Sequence, residues 1–171
     1  MIKNLKYHHS ISEAGTLQLR IITQYVGDGE VKSEKYSDPV APPDTLKMDG
    51  WDDKSKAIVE AITNKKVLAD FKVEKQEPTG VGIEEIVKYD RTLDDLGRIS
   101  VRRITRIFDE GEEVSKKYHR SWIMPGQDPS GNDVISRAVA EKLHTPKVIA
   151  TYNTKMAELE AEKIPEELSI K

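Results

Sequence analysis

Between Arg102 and Arg120 the chain reads RRITRIFDEGEEVSKKYHR, a run with four arginines, two lysines, a histidine and a tyrosine. A guanidinium presents a rigid fork of N–H donors, so such a run could grip phosphates or carboxylates. On an extended chain Arg102 and Arg106 share one face with Ser100 and Ile104, and Arg103 lies on the other with Val101 and Thr105. The stretch before it carries Glu84, Glu85, Asp90, Asp94 and Asp95, which predicts cross-strand neutralisation of the arginines. No aromatic platform is interleaved in the way single-strand binders require. The arginines therefore read as solvated or subunit-facing charge rather than as a nucleic-acid grip.

The other reactive side chains form no site. His8 and His9 are adjacent and point to opposite sides of an extended chain, so they do not chelate one metal. Together with His119 and His144 they read as surface or interface histidines. DPSGND (128–133) offers oxygen donors but lacks the spacing and distal glutamate of a calcium loop. No GxSxG and no glycine-rich phosphate loop occurs, and cysteine is absent, which removes thiolate chemistry and Cys-type zinc sites. No catalytic, metal or cofactor-binding residue is assigned, and an enzyme finds no positive support. The apolar cluster Trp122, Ile123 and Met124 precedes PGQDP in a predicted loop and suits an intersubunit anchor.

Composition narrows the classes. The chain has 171 residues, 37% hydrophobic and 33% charged, with net charge −3. That suffices for a modest core under a well-solvated surface, and it requires any polyanion contact to be a local patch. No stretch approaches the roughly 18 apolar residues of a membrane span, and the N-terminus lacks the apolar run of a signal peptide.

The elements that must position these residues are written twice. Slid by 82 residues, LKYHHSISEAGTLQLRIITQYVGDGEVKSEKY (5–36) lies on VKYDRTLDDLGRISVRRITRIFDEGEEVSKKY (87–118). Lys6/Lys88, Tyr7/Tyr89, Gly15/Gly97, Arg20/Arg102, Ile22/Ile104, Thr23/Thr105, Gly29/Gly111 and Tyr36/Tyr118 are among the identities. Further on the slip becomes 81, and SKAIVEAITNKKVLADF (55–71) lies on SRAVAEKLHTPKVIATY (136–152), with Phe71 facing Tyr152. A co-linear set of this kind indicates a tandem duplication.

Each half reads as a strand, a turn at Gly15 or Gly97, an alternating strand, and a hairpin at GDGE or DEGE. A return strand and a Pro/Gly-rich loop follow. Then the period becomes helical at Ala57, Ile58, Ala61, Ile62 and at Ala138, Val139, Leu143. Asp52 and Asp133 align as helix caps, Asn64 and Thr145 cap a second helix, and Pro146 suits its first turn. The expected fold is α+β: an internal tandem duplication, each half a three-stranded antiparallel meander followed by two short helices, forming a pseudo-dimer. The expected organisation is a first repeat over 1–75, a linker over 76–82, a second repeat over 83–153, and a C-terminal helical extension and tail over 154–171.

KKYHRSWIMPGQDPSGNDVISRAVAEKLHTPKVIATY (116–152) resembles short proteins encoded among the structural and tail-region genes of tailed bacteriophages and prophages. The strand ending Tyr118-His119-Arg120, the PGQD turn (125–128) and TPKVIATY (145–152) carry the resemblance. It implies a non-enzymatic virion protein, a head–tail or tail accessory component, assembled in the host cytoplasm. Its partners would be other virion proteins and further copies of itself; no membrane partner is expected, and a nucleic-acid partner is disfavoured by the charge reading above. Capsid decoration is one alternative, and a small nucleic-acid-associated or host-interaction protein is another. Arg103, Arg106, His119, Arg120, Trp122, Ile123 and Met124 are the expected partner contacts, because most of this charge and bulk is absent from the first half.

Overall fold

Sequence alternation becomes an antiparallel sheet in which each hairpin sets its own register. In a computed structural model, which describes residues 2–13, 15, 17–27, 30–36, 51–74 and 77–162, three strands and two helices occur twice in the same order. They are β1 (Ile2–Ile11), β2 (Leu17–Gly27), β3 (Glu30–Tyr36), α1 (Asp53–Ile62) and α2 (Lys65–Glu74), then β4 (Ile83–Leu93), β5 (Ile99–Asp109), β6 (Glu112–Ile123), α3 (Val134–Leu143) and α4 (Pro146–Ala161). The loop 37–50, the Asp28-Gly29 turn and the tail 163–171 lie outside the described residues.

All six strands join one antiparallel sheet in the order β3-β2-β1-β4-β5-β6. The protein is thus mixed α+β, with the two meanders fused edge to edge through β1 and β4. That seam is short: His9 faces Leu93, Ser10 faces Thr92 and Ile11 faces Arg91. Moving each member by 82 residues turns the pair His9–Leu93 into Arg91–Ile11, which is a pair of the same ladder.

The hairpins match as well. The turn Glu110-Gly111 has positive φ at both residues, 47° and 86°, the conformation that fits the right-handed twist of a two-residue hairpin. The β5–β6 register shifts between Ile107 and Phe108, and the β2–β3 register shifts between Tyr25 and Val26, the aligned position. Gly15 and Gly97 both take positive φ.

One face of the sheet carries the core. Ile11, Leu17, Leu93, Ile99, Val101 and Ile123 pack there against Ile58, Val59 and Ile62 of α1 and Ile135, Val139 and Leu143 of α3. The two helices also pack on each other. A sheet with one apolar face needs this cover, and α1 and α3 bring it with the caps the sequence predicts. Asp52 accepts from Ser55 N at 3.1 Å and Asp133 from Ser136 N at 3.0 Å. Asn64 accepts from Lys66 N at 2.9 Å, and Thr145 caps α4 with Pro146 in its first turn.

Two expectations are corrected here. Ile123 is not a free contact residue: it is the last residue of β6, pairs with Ile99 and is 1% exposed in the core. The strand runs to the middle residue of the WIM cluster and turns it inward. Secondly, of the acids expected to neutralise the arginines, only Asp90 does so on β4. Glu84 instead accepts from Thr79 and Gly80 ahead of the strand, and Asp94 organises its own turn with Leu96 N and Arg98.

Candidate contact surface and buried polar clusters

The arginine-rich hairpin β5–β6 lies at one edge of the sheet, and alternation divides its side chains between two faces. Arg103 lies opposite His119 on the face that bears the core, out beyond the helices, and both are exposed. Neither has an ion-pair partner among the described residues. Arg102, Arg120, Tyr118 and Trp122 lie on the outer face. The residues expected to form one contact therefore form two groups, one on each side of the ribbon.

Arg106 belongs to neither group as a free cation. Its Nη2 donates to both oxygens of Glu13 at 2.8 and 2.7 Å, and its Nε lies 3.6 Å from Glu113. Glu13 sits in the turn of the first half, so this arginine ties the halves together. Its guanidinium, expected among the partner contacts, is thus engaged within the chain. Met124 is half-buried and starts the PGQD turn, where its N–H donates to Gln127 Oε1 at 3.1 Å.

On the outer face Arg102 and Arg120 are directly opposed across the strands. Like charges in that position repel, and Asp90 relieves only one of them, accepting from Arg102 Nε at 3.1 Å and from its Nη2. The Arg102 guanidinium also lies over the Tyr118 ring at 5.4 Å, and that of Arg98 over the Trp122 ring at 5.3 Å. Arg120 has no carboxylate among the described residues. It borders a shallow depression of about 470 Å³ that crosses the β1–β4 seam and is lined by Ser10, Gln18, Asp90, Thr92 and Trp122. Chemically this depression offers one uncompensated guanidinium beside an indole that is 43% exposed.

Beneath the seam, on the core face, are two polar clusters that the sequence reading assigned to no site. His9, 1% exposed, meets α1: its Nε2 is 2.8 Å from Ser55 Oγ, and Ser55 Oγ donates to Asp52 Oδ2. The serine proton is thereby committed to the carboxylate, so the imidazole must donate through Nε2, and Nδ1 keeps its lone pair. That Nδ1 is buried with no hydrogen-bond partner among the described residues. Burial first, and then nearby Lys54, push the His9 pKa down to about 4. This Ser-His-Asp group cannot activate Ser55 as a nucleophile. A triad needs the histidine to take the serine proton and the carboxylate to hold the histidine; here the carboxylate holds the serine, which has no exposed surface.

Arg91 occupies the matching place above α3. Its Nε donates to Ser136 Oγ at 2.9 Å, its Nη1 to Tyr89 O at 3.0 Å, and its Nη2 to Asp133 Oδ1. Ser136 Oγ donates to Asp133 Oδ2 at 2.5 Å, and both charged side chains are 1% exposed. The expectation of surface histidines is thus corrected for His9. The signal that could have found both clusters lay in the aligned sequence segments: a slip of 82 puts His9 on Arg91, and the slip of 81 further on puts Asp52 and Ser55 on Asp133 and Ser136. His8 is exposed, and His144 caps α3 with its Nε2 2.9 Å from Gly97 O.

Among the described residues no group of acidic, histidine or cysteine side chains could hold a metal ion, and no helix is long and apolar enough to cross a membrane. The architecture defines a mixed α+β protein built on a single curled antiparallel sheet. Neither a protein-family model, nor a curated protein, nor a solved structure matches the chain.

Proposed function

We propose that the two halves are copies of one meander-plus-two-helix unit, duplicated in tandem and joined as a pseudo-dimer. We further propose that the chain serves as a non-enzymatic structural component of a tailed-phage particle. An isologous interface uses the same residues on both partners, so that i meets j and j meets i. The seam ladder has that form under the 82-residue slip, and the aligned bulges, caps and turn glycines support the same reading. Linkage holds the two copies at high effective concentration and frees them to diverge.

The observation that carries the assembly role is the unneutralised Arg120 opposite Arg102, beside the exposed indole of Trp122. Arg103 and His119 on the other face of the same ribbon add to it. Arginine with tryptophan is the combination that anchors protein interfaces. The partner they suit is an acidic protein surface of a neighbouring head–tail or tail component. Mass spectrometry of purified particles tests the reading, and stoichiometric recovery of the chain is the expected result. Its absence from the particles would sink the virion role, and DNA binding that weakens steeply with salt would favour the nucleic-acid alternative.

A further inference from the structure

On the outer face, cross-strand pairing lines up two rows of side chains. Gln18, Ser10, Thr92, Ser100 and Trp122 stand opposite one another in turn across β2, β1, β4, β5 and β6. Two positions along each strand, and so on the same face, Asp90, Arg102 and Arg120 form the next row across β4, β5 and β6. Three short hydroxyl side chains thus lie between an indole and two guanidiniums. Short chains among long ones leave the depression of about 470 Å³ that both rows line.

The charged residues lining it are Asp90, Arg91, Arg102 and Arg120. Arg91 is answered by Asp133 beneath the sheet and Arg102 by Asp90. That leaves Arg120, directly opposite Arg102, without an ion-pair partner among the described residues. The depression therefore holds one positive charge in excess. Around it the hydroxyls of Ser10, Thr92 and Ser100 and the amide of Gln18 can all donate hydrogen bonds to an anion. A single negative charge balances the site, whereas a second would meet only the repulsion of Asp90.

We propose that this depression seats the carboxylate of one aspartate or glutamate side chain of a partner protein, held against Arg120 as Asp90 is held against Arg102. The site rests on the acidic-partner reading above and on no particular particle. Absence of the chain from particles would leave it standing, and failure of the titration below would leave the virion role standing.

The probe is N-acetyl-glutamate N-methylamide, which carries one side-chain carboxylate. It is titrated at constant ionic strength and about pH 7.5 into the full-length protein labelled with ¹⁵N. A lone contact with an exposed arginine is weak, so saturation is expected with a Kd on the order of 10 mM. Shifts should centre on Thr92, Arg120 and the Trp122 indole N–H. They should spare Arg103, an exposed arginine of the same ribbon that lies outside the depression. The isosteric glutamine derivative should not bind. Arg120→Gln, shown to be folded by circular dichroism, should weaken binding of the glutamate derivative at least about threefold. The phosphoserine derivative, a dianion at this pH, should bind the parent protein no more tightly than the glutamate derivative does. In Asp90→Asn, where Arg102 loses its carboxylate, that order should reverse. No saturable shifts, shifts of equal size at Arg103, or binding indifferent to Arg120→Gln would overturn the proposal. So would binding of the glutamine derivative, a parent protein that prefers the dianion, or an unchanged order in Asp90→Asn.

Discussion

Above the entrance of α1 the sheet presents His9; above the entrance of α3 it presents Arg91. Each reaches a serine at the third position of its helix, and each serine is held by the aspartate that caps that helix. The scaffold is shared and the charge is not. Arg91 is permanently cationic and fully committed to Asp133, Ser136 and the Tyr89 carbonyl, so that cluster is a buried ion pair with its bonds satisfied. His9 is a neutral donor with one orphan nitrogen, held neutral by burial. One backbone place thus supports two electrostatic solutions, because the cap carboxylate can neutralise a cation or merely orient a hydroxyl. The charged solution should be the stronger of the two, and the neutral one weaker and sensitive to protonation of His9.

The largest effect should follow from breaking the Arg91 cluster. Asp133→Asn leaves a buried guanidinium without its counter-charge, and about 3–5 kcal/mol of stability should be lost in urea unfolding. The matching Asp52→Asn should cost less, about 1–2 kcal/mol, because only a cap and a neutral bond are disturbed. Equal losses would erase the distinction drawn between the clusters.

The pH response comes next. His9 has a folded pKa of about 4, below the ordinary value of 6.5, so the unfolded chain takes up its proton first as pH falls. Its contribution is present above pH 6.5, declines between 6.5 and 4, and totals about 3 kcal/mol. Stability measured across this window should fall less in His9→Gln than in the parent. His9→Arg, which imports the second cluster's solution, should flatten the same window if Asp52 accepts the guanidinium.

Smaller effects test the joints between the halves. Gly15→Ala forces a left-handed backbone and drives a methyl into Phe71, for an expected loss of about 1–3 kcal/mol, with Gly97→Ala losing somewhat less against Val148. Removing the Arg106–Glu13 bridge by Glu13→Gln should cost only about 0.5–1 kcal/mol, since both groups are partly solvated. At the bottom of the scale, Arg103→Ala and Arg120→Ala should stay within about 0.5 kcal/mol in thermal unfolding. A larger change at either would mean that the residue supports the fold and is not held for a partner.

Much of the architecture was legible in the residues. Strand alternation, the Asp-Glu-Gly-Glu hairpin, the aspartate caps and the Thr145-Pro146 helix start are local signals, and each depends on chemistry within a few positions. The contact residues were read less well. Alternation correctly split Arg102 from Arg103, yet no pattern within the strand reveals that Glu13, far away in sequence, comes to Arg106. Ile123 was read as loop because Pro125 follows so closely, although the strand runs on to Ile123 before the turn begins.

By itself, then, the sequence determined the type and order of the elements, because periods, caps and turn residues act over short range. Only the tertiary structure decided that β1 and β4 join the meanders into one sheet and that His9 is sealed beneath that seam. Those outcomes depend on which edges and faces meet across a separation of about eighty residues. Pairing and packing of that kind are settled by the sum of many weak contacts, and no single residue type announces them.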